Sequence, residues 1–356
     1  MEPTPKLRTL NRIDSYRSYR SDVFHPPQPS VQDLGRRRAS AVRILTVGGG
    51  KGGVGKSFVA CNVGAEMARL GRRVVLVDAD LGGANLHTYL GLEFPGRTLN
   101  DLLTHRVDHI EDVIVPTRFA NLRLISGAAN VLGAANPRHD HKARIARALR
   151  ELDADVVILD LGSGTSYNTL DFFLLSDEGI FIVVPEPTSL ENAYAFIKAS
   201  FFRRLRRATT DARIKTLVDR VADGRAEQAI RTPADLLTAI DAMDPRAGAR
   251  LREDLRGFRL RVVINQVRSV EDIQLGFAIR KVCRRYFGLD VDYLGYVNYD
   301  NVVWKSIKQR NLLLAEYPLS EPAEFISRMT RKLLQLEKPT SRPETALAGA
   351  GLHGTG

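Results

Sequence analysis

Cysteine is scarce in this chain. There are two among 356 residues, Cys61 and Cys283, set far apart. That count excludes a disulfide framework and a cysteine-built zinc site. Tryptophan occurs once, as Trp304; with Val303 and Ile307 beside it, we expect it in the core rather than as a stacking platform. No apolar run is long enough to span a bilayer, and no signal peptide is recognisable. We therefore expect a cytoplasmic protein, with the inner face of the membrane or the nucleoid as peripheral stations. Acidic residues are in deficit, 41 Asp and Glu against 52 Lys and Arg, giving a net charge of +11. Such a balance favours an anionic partner, nucleic acid or anionic lipid, without choosing between them. The length fits one large domain with extensions.

What is present is more specific. Gly50-Lys51-Gly52-Gly53-Val54-Gly55-Lys56-Ser57 lies between the apolar run Ile44-Leu45-Thr46-Val47 and a helix-like run that begins at Phe58. The order is strand, glycine-rich turn, helix, and the residues fit the phosphate-cradling P-loop. Glycines allow successive N–H groups to turn onto phosphate oxygens, and the helix N-terminus adds partial positive charge. The cradle is read as Gly50 through Phe58, with Lys56 reaching the terminal phosphates and the Ser57 hydroxyl holding Mg²⁺. A rival reading uses the same letters. Gly50, Gly52 and Gly55 satisfy a dinucleotide fingerprint, with Asp78, after Val74-Val75-Leu76-Val77, as its ribose contact. That reading gives Lys56 and Ser57 no task.

Val156-Val157-Ile158-Leu159-Asp160 reads as a strand buried on both faces and ending in a carboxylate. Asp160 then lies on the sheet edge where open α/β sheets bind ligands, placed to hold Mg²⁺ directly or through water. Gly162-Ser163-Gly164 follows, a segment suited to sensing a γ-phosphate.

With these residues in hand, a resemblance emerges. Lys51 to Ser57 resembles the deviant Walker A motif of the MinD/ParA ATPases, with Lys51 as its extra lysine. The resemblance implies that Lys51 reaches across a nucleotide-sandwich homodimer to the partner's phosphates. Asp78 to Leu86 resembles the first switch, in which Asp80 orients the attacking water. Asp160 to Gly164 resembles the second switch, with Gly162 and Gly164. Ile180 to Ser189 resembles the following strand and turn, and Val262 to Val267 the strand ending in an adenine-reading asparagine, here Asn265. The MinD-like, FlhG-like branch is the most similar. The implied activity is slow, dimer- or partner-stimulated hydrolysis of ATP with Mg²⁺. It would serve to position a cellular structure: flagella first, then the division site or chromosome. The lack of C-x-x-C argues against iron–sulfur relatives of the same class. A nucleotide-binding scaffold with negligible turnover and a dinucleotide oxidoreductase stand as alternatives.

Strands are expected at Arg43–Val47, Val74–Val77, Leu122–Ile125, Val156–Leu159, Ile180–Val184, Leu260–Ile264 and Tyr293–Val297, alternating with helices. That alternation predicts a doubly wound, mostly parallel α/β sheet. The ATPase domain is read as 41–337, between a disordered basic arm at 1–40 and a disordered tail at 338–356. Between Pro187 and Leu260 lies more chain than one crossover needs, so a helical insertion is expected at about 205–257. At its start, Arg203, Arg206 and Arg207 share a helix face and offer a contact for DNA or lipid phosphates. Arg280-Lys281 and Arg284-Arg285 form a second basic cluster. His139-Asp140-His141 is expected at the surface rather than on a metal. Phe325 to Leu336 is expected to be the last core helix. A protein partner is implied, and its identity is left open.

Overall fold

In the computed structural model, residues 42–335 are described, apart from 81–82, 128–138, 177, 226–229 and 231. The proposed basic arm and tail lie outside the described residues. Strands β1 (Arg43–Gly48), β2 (Val74–Asp78), β3 (Ile114–Pro116), β4 (Leu122–Ile125), β5 (Val156–Asp160), β6 (Glu178–Val183), β7 (Arg259–Val267) and β8 (Val291–Asn298) form one sheet. Its order is β3-β4-β2-β5-β1-β6-β7-β8. All neighbours pair in parallel except β3, which runs antiparallel to β4 at one edge. This short edge strand has no counterpart in the sequence reading; its three residues carry too little pattern to separate from a loop.

The strand sequences are continuously apolar because both faces are covered. Val75, Val77, Val157, Leu159, Phe181, Val183, Val262 and Ile264 pack into one core. Their alternating neighbours Val74, Leu76, Val156, Ile158, Ile180, Ile182 and Val263 pack into the other. A period of two thus divides each strand between two helical layers. Helix Lys56–Arg69 is buried along nearly its whole length, which its small residues permit. Helix Glu321–Leu333 closes the same layer through Ile326, Met329 and Leu333; Leu336 lies outside the described residues.

Among the described residues, four helices lie between β6 and β7: Pro187–Ala208, Ala212–Ala222, Pro233–Met243 and Pro245–Gly257. Thr232 caps the third. Its hydroxyl accepts from the Asp235 N–H at 3.1 Å, and the Asp235 carboxylate accepts from the Thr232 N–H at 2.8 Å. The second of the four buries only a thin stripe, Ile214 and Val218.

At the far end of β6, Glu178 is a charged hub. Its carboxylate accepts from Arg43 at 2.9 and 2.7 Å and faces Arg261 at 3.2 Å. Burial would raise this carboxyl, but Arg43 and Arg261 outweigh it and hold it below its ordinary range.

Candidate nucleotide site

β1 is flanked by β5 and β6, so its carboxyl end opens at the middle of the sheet, where the order of connections reverses. The loop from Gly48 to Gly55 starts there and leads into helix Lys56–Arg69. Gly55, just before the helix, takes φ 94°, the left-handed region glycine tolerates. A Cβ on Gly50 would meet the Asn192 carbonyl oxygen at 2.3 Å, so helix Pro187–Ala208 presses directly on the loop.

Lys56 is buried at the helix start. Burial pulls its ammonium below its ordinary range, opposed by the charges of Asp160 and Asp80. Asp160 ends β5 beside it. Burial, then the Asp78 charge, push the Asp160 carboxyl well up, while a hydrogen bond with Ser57 and the Lys56 charge oppose the rise. One Asp160 oxygen, Oδ1, is buried without a partner. A buried carboxylate oxygen left open beside a serine hydroxyl is the donor set a hard cation takes. Ser57 and Asp160 therefore fit Mg²⁺.

Asp78 is a clamp. Its Oδ1 accepts from the Asp80 N–H at 3.2 Å, and its Oδ2 accepts from the N–H groups of Asn85 at 2.7 Å and Leu86 at 2.9 Å. Burial pushes its carboxyl up to about 6, against these three bonds. The dinucleotide reading asked Asp78 for a ribose contact; the structure spends both its oxygens on the loop that carries Asp80. The Asp80 carboxylate packs against the loop that follows β5: a Cβ on Gly162 would lie 3.2 Å from its Cγ. Gly164 follows in the same loop.

Lys51 donates to Glu186 at 2.8 Å and to the Thr188 hydroxyl at 3.2 Å. Both partners belong to the turn that opens helix Pro187–Ala208. The pair is exposed.

Asn265 sits at the end of β7, beside a β-bulge between Asn265 and Val267, with Gln266 at φ 60°. Its Nδ2 donates to the Val54 carbonyl at 2.8 Å. The expected adenine reader thus gives one of its two amide N–H groups to the phosphate loop. A cavity of about 320 Å³ adjoins it, lined by Gly53, Gly55, Lys56, Ser57, Phe58, Tyr89, Asn265, Asn298, Tyr299, Asp300 and Trp304 among others.

Trp304 corrects an expectation: it is 61% exposed at the cavity rim rather than in the core. Helix Asn301–Lys308 buries Val302 and Ser306. Trp304, two positions past Val302, falls roughly 200° round the helix and faces outward.

The Arg203, Arg206 and Arg207 face is partly paired within the chain. Arg203 holds Asp171 with two bonds of 2.6 and 2.9 Å and lies over the Tyr167 ring at 4.6 Å. Arg206 pairs with Asp219 at 2.8 Å, and Arg207 lies 3.9 Å from Asp171. Asp171 and Asp219, acids on other helices that spacing along one helix cannot show, offset part of this charge; with Lys142 also on Asp171, four cations meet two acids and the face stays cationic.

Residues 40–210 match the ParA family, described as NUBPL iron-transfer P-loop NTPase. Over those residues it carries a ParA-family P-loop NTPase domain. Among curated relatives, the antiactivator FleN of Pseudomonas aeruginosa is 26% identical over 82% of this chain and 86% of its own length. The septum site-determining protein MinD of Synechocystis is 27% identical over 76% of this chain and 98% of its own. Among solved structures, Pyrococcus horikoshii MinD complexed with Mg-ADP superposes with a TM-score of 0.58 at 21% identity, covering 83% of this chain and 97% of that one. That likeness establishes the fold: a mostly parallel sheet flanked by helices. The iron transfer in the family's description finds little chemistry here. The ParA-family domain buries Cys61, and Cys283 is buried too. Burial, then the charges of Asp160 and Asp78, push the Cys61 thiol well up, and burial pushes Cys283 up to about 12. Among the described residues, no helix is long and apolar enough to cross a membrane.

Nothing local in the sequence pointed to Glu186 and Thr188 as partners of Lys51, or to Asn298, Tyr299 and Trp304 as cavity walls. Each meets the loop only through the order of strands in the sheet.

Proposed function

We propose that this chain is a Mg²⁺-dependent ATP-binding and ATP-hydrolysing switch of the MinD/ParA class, which closes as a homodimer on ATP and positions a cellular structure. The observation that carries this reading is the open Asp160 oxygen beside Ser57 and Lys56 at the mouth of the glycine loop.

Phosphoryl transfer needs positioning and charge neutralisation more than covalent chemistry. The loop amides and Lys56 hold the phosphate tail. Ser57 and Asp160 would hold Mg²⁺, which would supply positive charge to offset that of the phosphate tail. Asp80, held in place through the Asp78 clamp, orients the attacking water. Lys51, as the extra lysine of a deviant Walker A loop, acts across the dimer. Its present pair with Glu186 is exposed, so releasing it costs little, about 0–1 kcal/mol. Gly162 and Gly164, within the second switch, sense the γ-phosphate.

The ATPase unit is taken as about 41–337, with the helices of about 205–257 as an insertion. Aquifex aeolicus MinD is solved in complex with MinC, and the FleN relative is named an antiactivator; both support a protein partner for this chain. Placement or number of flagella is the first cargo, and the division site or chromosome the second.

The test is phosphate release and self-association with Mg-ATP, for wild type and Asp80→Ala, with and without DNA or anionic liposomes. Wild type should hydrolyse slowly and dimerise on ATP, and Asp80→Ala should dimerise without turnover. A wild-type protein that ignores Mg-ATP in both measurements refutes the reading. Salt-sensitive retention on DNA or on liposomes would identify the organising surface.

A further inference from the structure

We propose that Trp304 and Asn298 form the base-recognising half of this pocket: the indole face carries the purine ring, and the Asn298 side-chain carbonyl accepts from the exocyclic amino group of adenine. This rests on the ATP-binding reading above and names what selects the base.

One cavity is lined both by the phosphate loop (Gly53, Gly55, Lys56, Ser57) and by Asn298, Tyr299 and Trp304. Phosphates held at the loop leave the rest of a nucleotide in that space. Its volume, about 320 Å³, suits one base with its sugar. Asn265 lines the same cavity and gives one of its two amide N–H groups to Val54.

Two observations then point to the other wall. The Asn298 Oδ1 is buried and has no partner. A buried acceptor left unmade is costly, and a ligand that donates to it recovers that cost. The exocyclic amino group of adenine donates; the 6-oxo group of hypoxanthine or guanine does not. Trp304 is the second. A large ring, 61% exposed, stands at the cavity rim. Its helix is fixed at the N-terminus by Asp300, whose carboxylate accepts from the Val302 N–H at 2.9 Å. Lys308 sits over the indole at 5.0 Å and occupies one face at most. The ring is thus held at the pocket with a face to offer, and base–aromatic stacking is a contact any purine gains from.

The chain contains one tryptophan, so its emission reports this residue alone. The experiment titrates the full chain with Mg-ATP, Mg-tripolyphosphate and Mg-inosine triphosphate. Trp304 emission and heat of binding are followed together. Mg-ATP should quench Trp304; tripolyphosphate should bind at the loop and leave the emission unchanged. Trp304→Ala should weaken ATP about tenfold or more while leaving tripolyphosphate unaffected, and Trp304→Phe should restore most of the loss. Wild type should prefer ATP to inosine triphosphate by about tenfold, and Asn298→Leu should bring the two nearly level. ATP binding that leaves Trp304 emission unchanged, or a Trp304→Ala affinity equal to wild type, overturns the stacking assignment. A preference for ATP that survives in Asn298→Leu overturns the assignment of that carbonyl. If neither ATP nor tripolyphosphate binds, the phosphate cradle itself is refuted and this proposal falls with it. Binding of tripolyphosphate alone leaves the cradle intact and refutes the base site.

Discussion

The Asn265 side-chain amide donates to the Val54 carbonyl at 2.8 Å, a bond between residues 211 positions apart that ties the end of β7 to the phosphate loop. Asn265 therefore supports the cradle. Asn265→Ala should lower affinity for ATP and for tripolyphosphate alike, and should destabilise the fold by about 1–3 kcal/mol. Calorimetry and thermal melting would check both. A loss confined to ATP would instead argue for direct contact with the base.

Gly55 lies against the same amide. A Cβ there would sit 2.2 Å from the Asn265 Nδ2, on a residue held at φ 94°. Gly55→Ala combines a clash with backbone strain, so we expect destabilisation of about 1–3 kcal/mol and loss of nucleotide binding. A folded Gly55→Ala protein with wild-type affinity would show that the loop has another accessible shape.

Lys51 and Asp80 should separate stability from turnover. The Lys51–Glu186 pair is exposed, so Lys51→Ala should change stability by less than about 1 kcal/mol. Turnover should nevertheless fall by about 10³-fold, the scale of a charge supplied to the transition state. Phosphate release measured beside a melting curve tests this. Parallel losses in both would make Lys51 a structural residue.

Asp171 gives a pH prediction. Its carboxylate accepts from Lys142 at 2.7 Å and from Arg203 at 2.6 Å. Burial alone would raise it, but Arg203 and Lys142 win and lower it. A lowered carboxyl contributes stability that is fully present above its unfolded pKa, roughly 4, and is lost as pH falls through the folded value. Asp171→Asn should cost about 2–3 kcal/mol at pH 7, since the cations stay partly solvated, and should flatten the acid limb below about pH 4. Denaturant melts across that range would read it. The same pairing means that charge reversal at Arg203 destabilises the fold as well as altering any phosphate contact. A DNA or lipid assay on that variant needs a melt beside it.

The sequence by itself determined the sheet and the loop. Apolar runs of strand length, a glycine-rich turn and a lysine–serine helix start are local patterns, and local sterics and periodicity fix what they form. It also placed Asp78 and Asp160 at strand ends, since a strand's end is where its pattern stops. Only the tertiary structure decided what those groups touch. Asp78 clamps a loop rather than facing a ligand, Asn265 braces Val54, Lys51 finds Glu186, Arg203 finds Asp171, and Trp304 stands outward beside Asn298. Spacing along one helix or strand gives the side on which a residue lies. Its partner comes from the order in which β1, β5, β6 and β7 are laid together, and that order brings residues more than a hundred positions apart within hydrogen-bond reach.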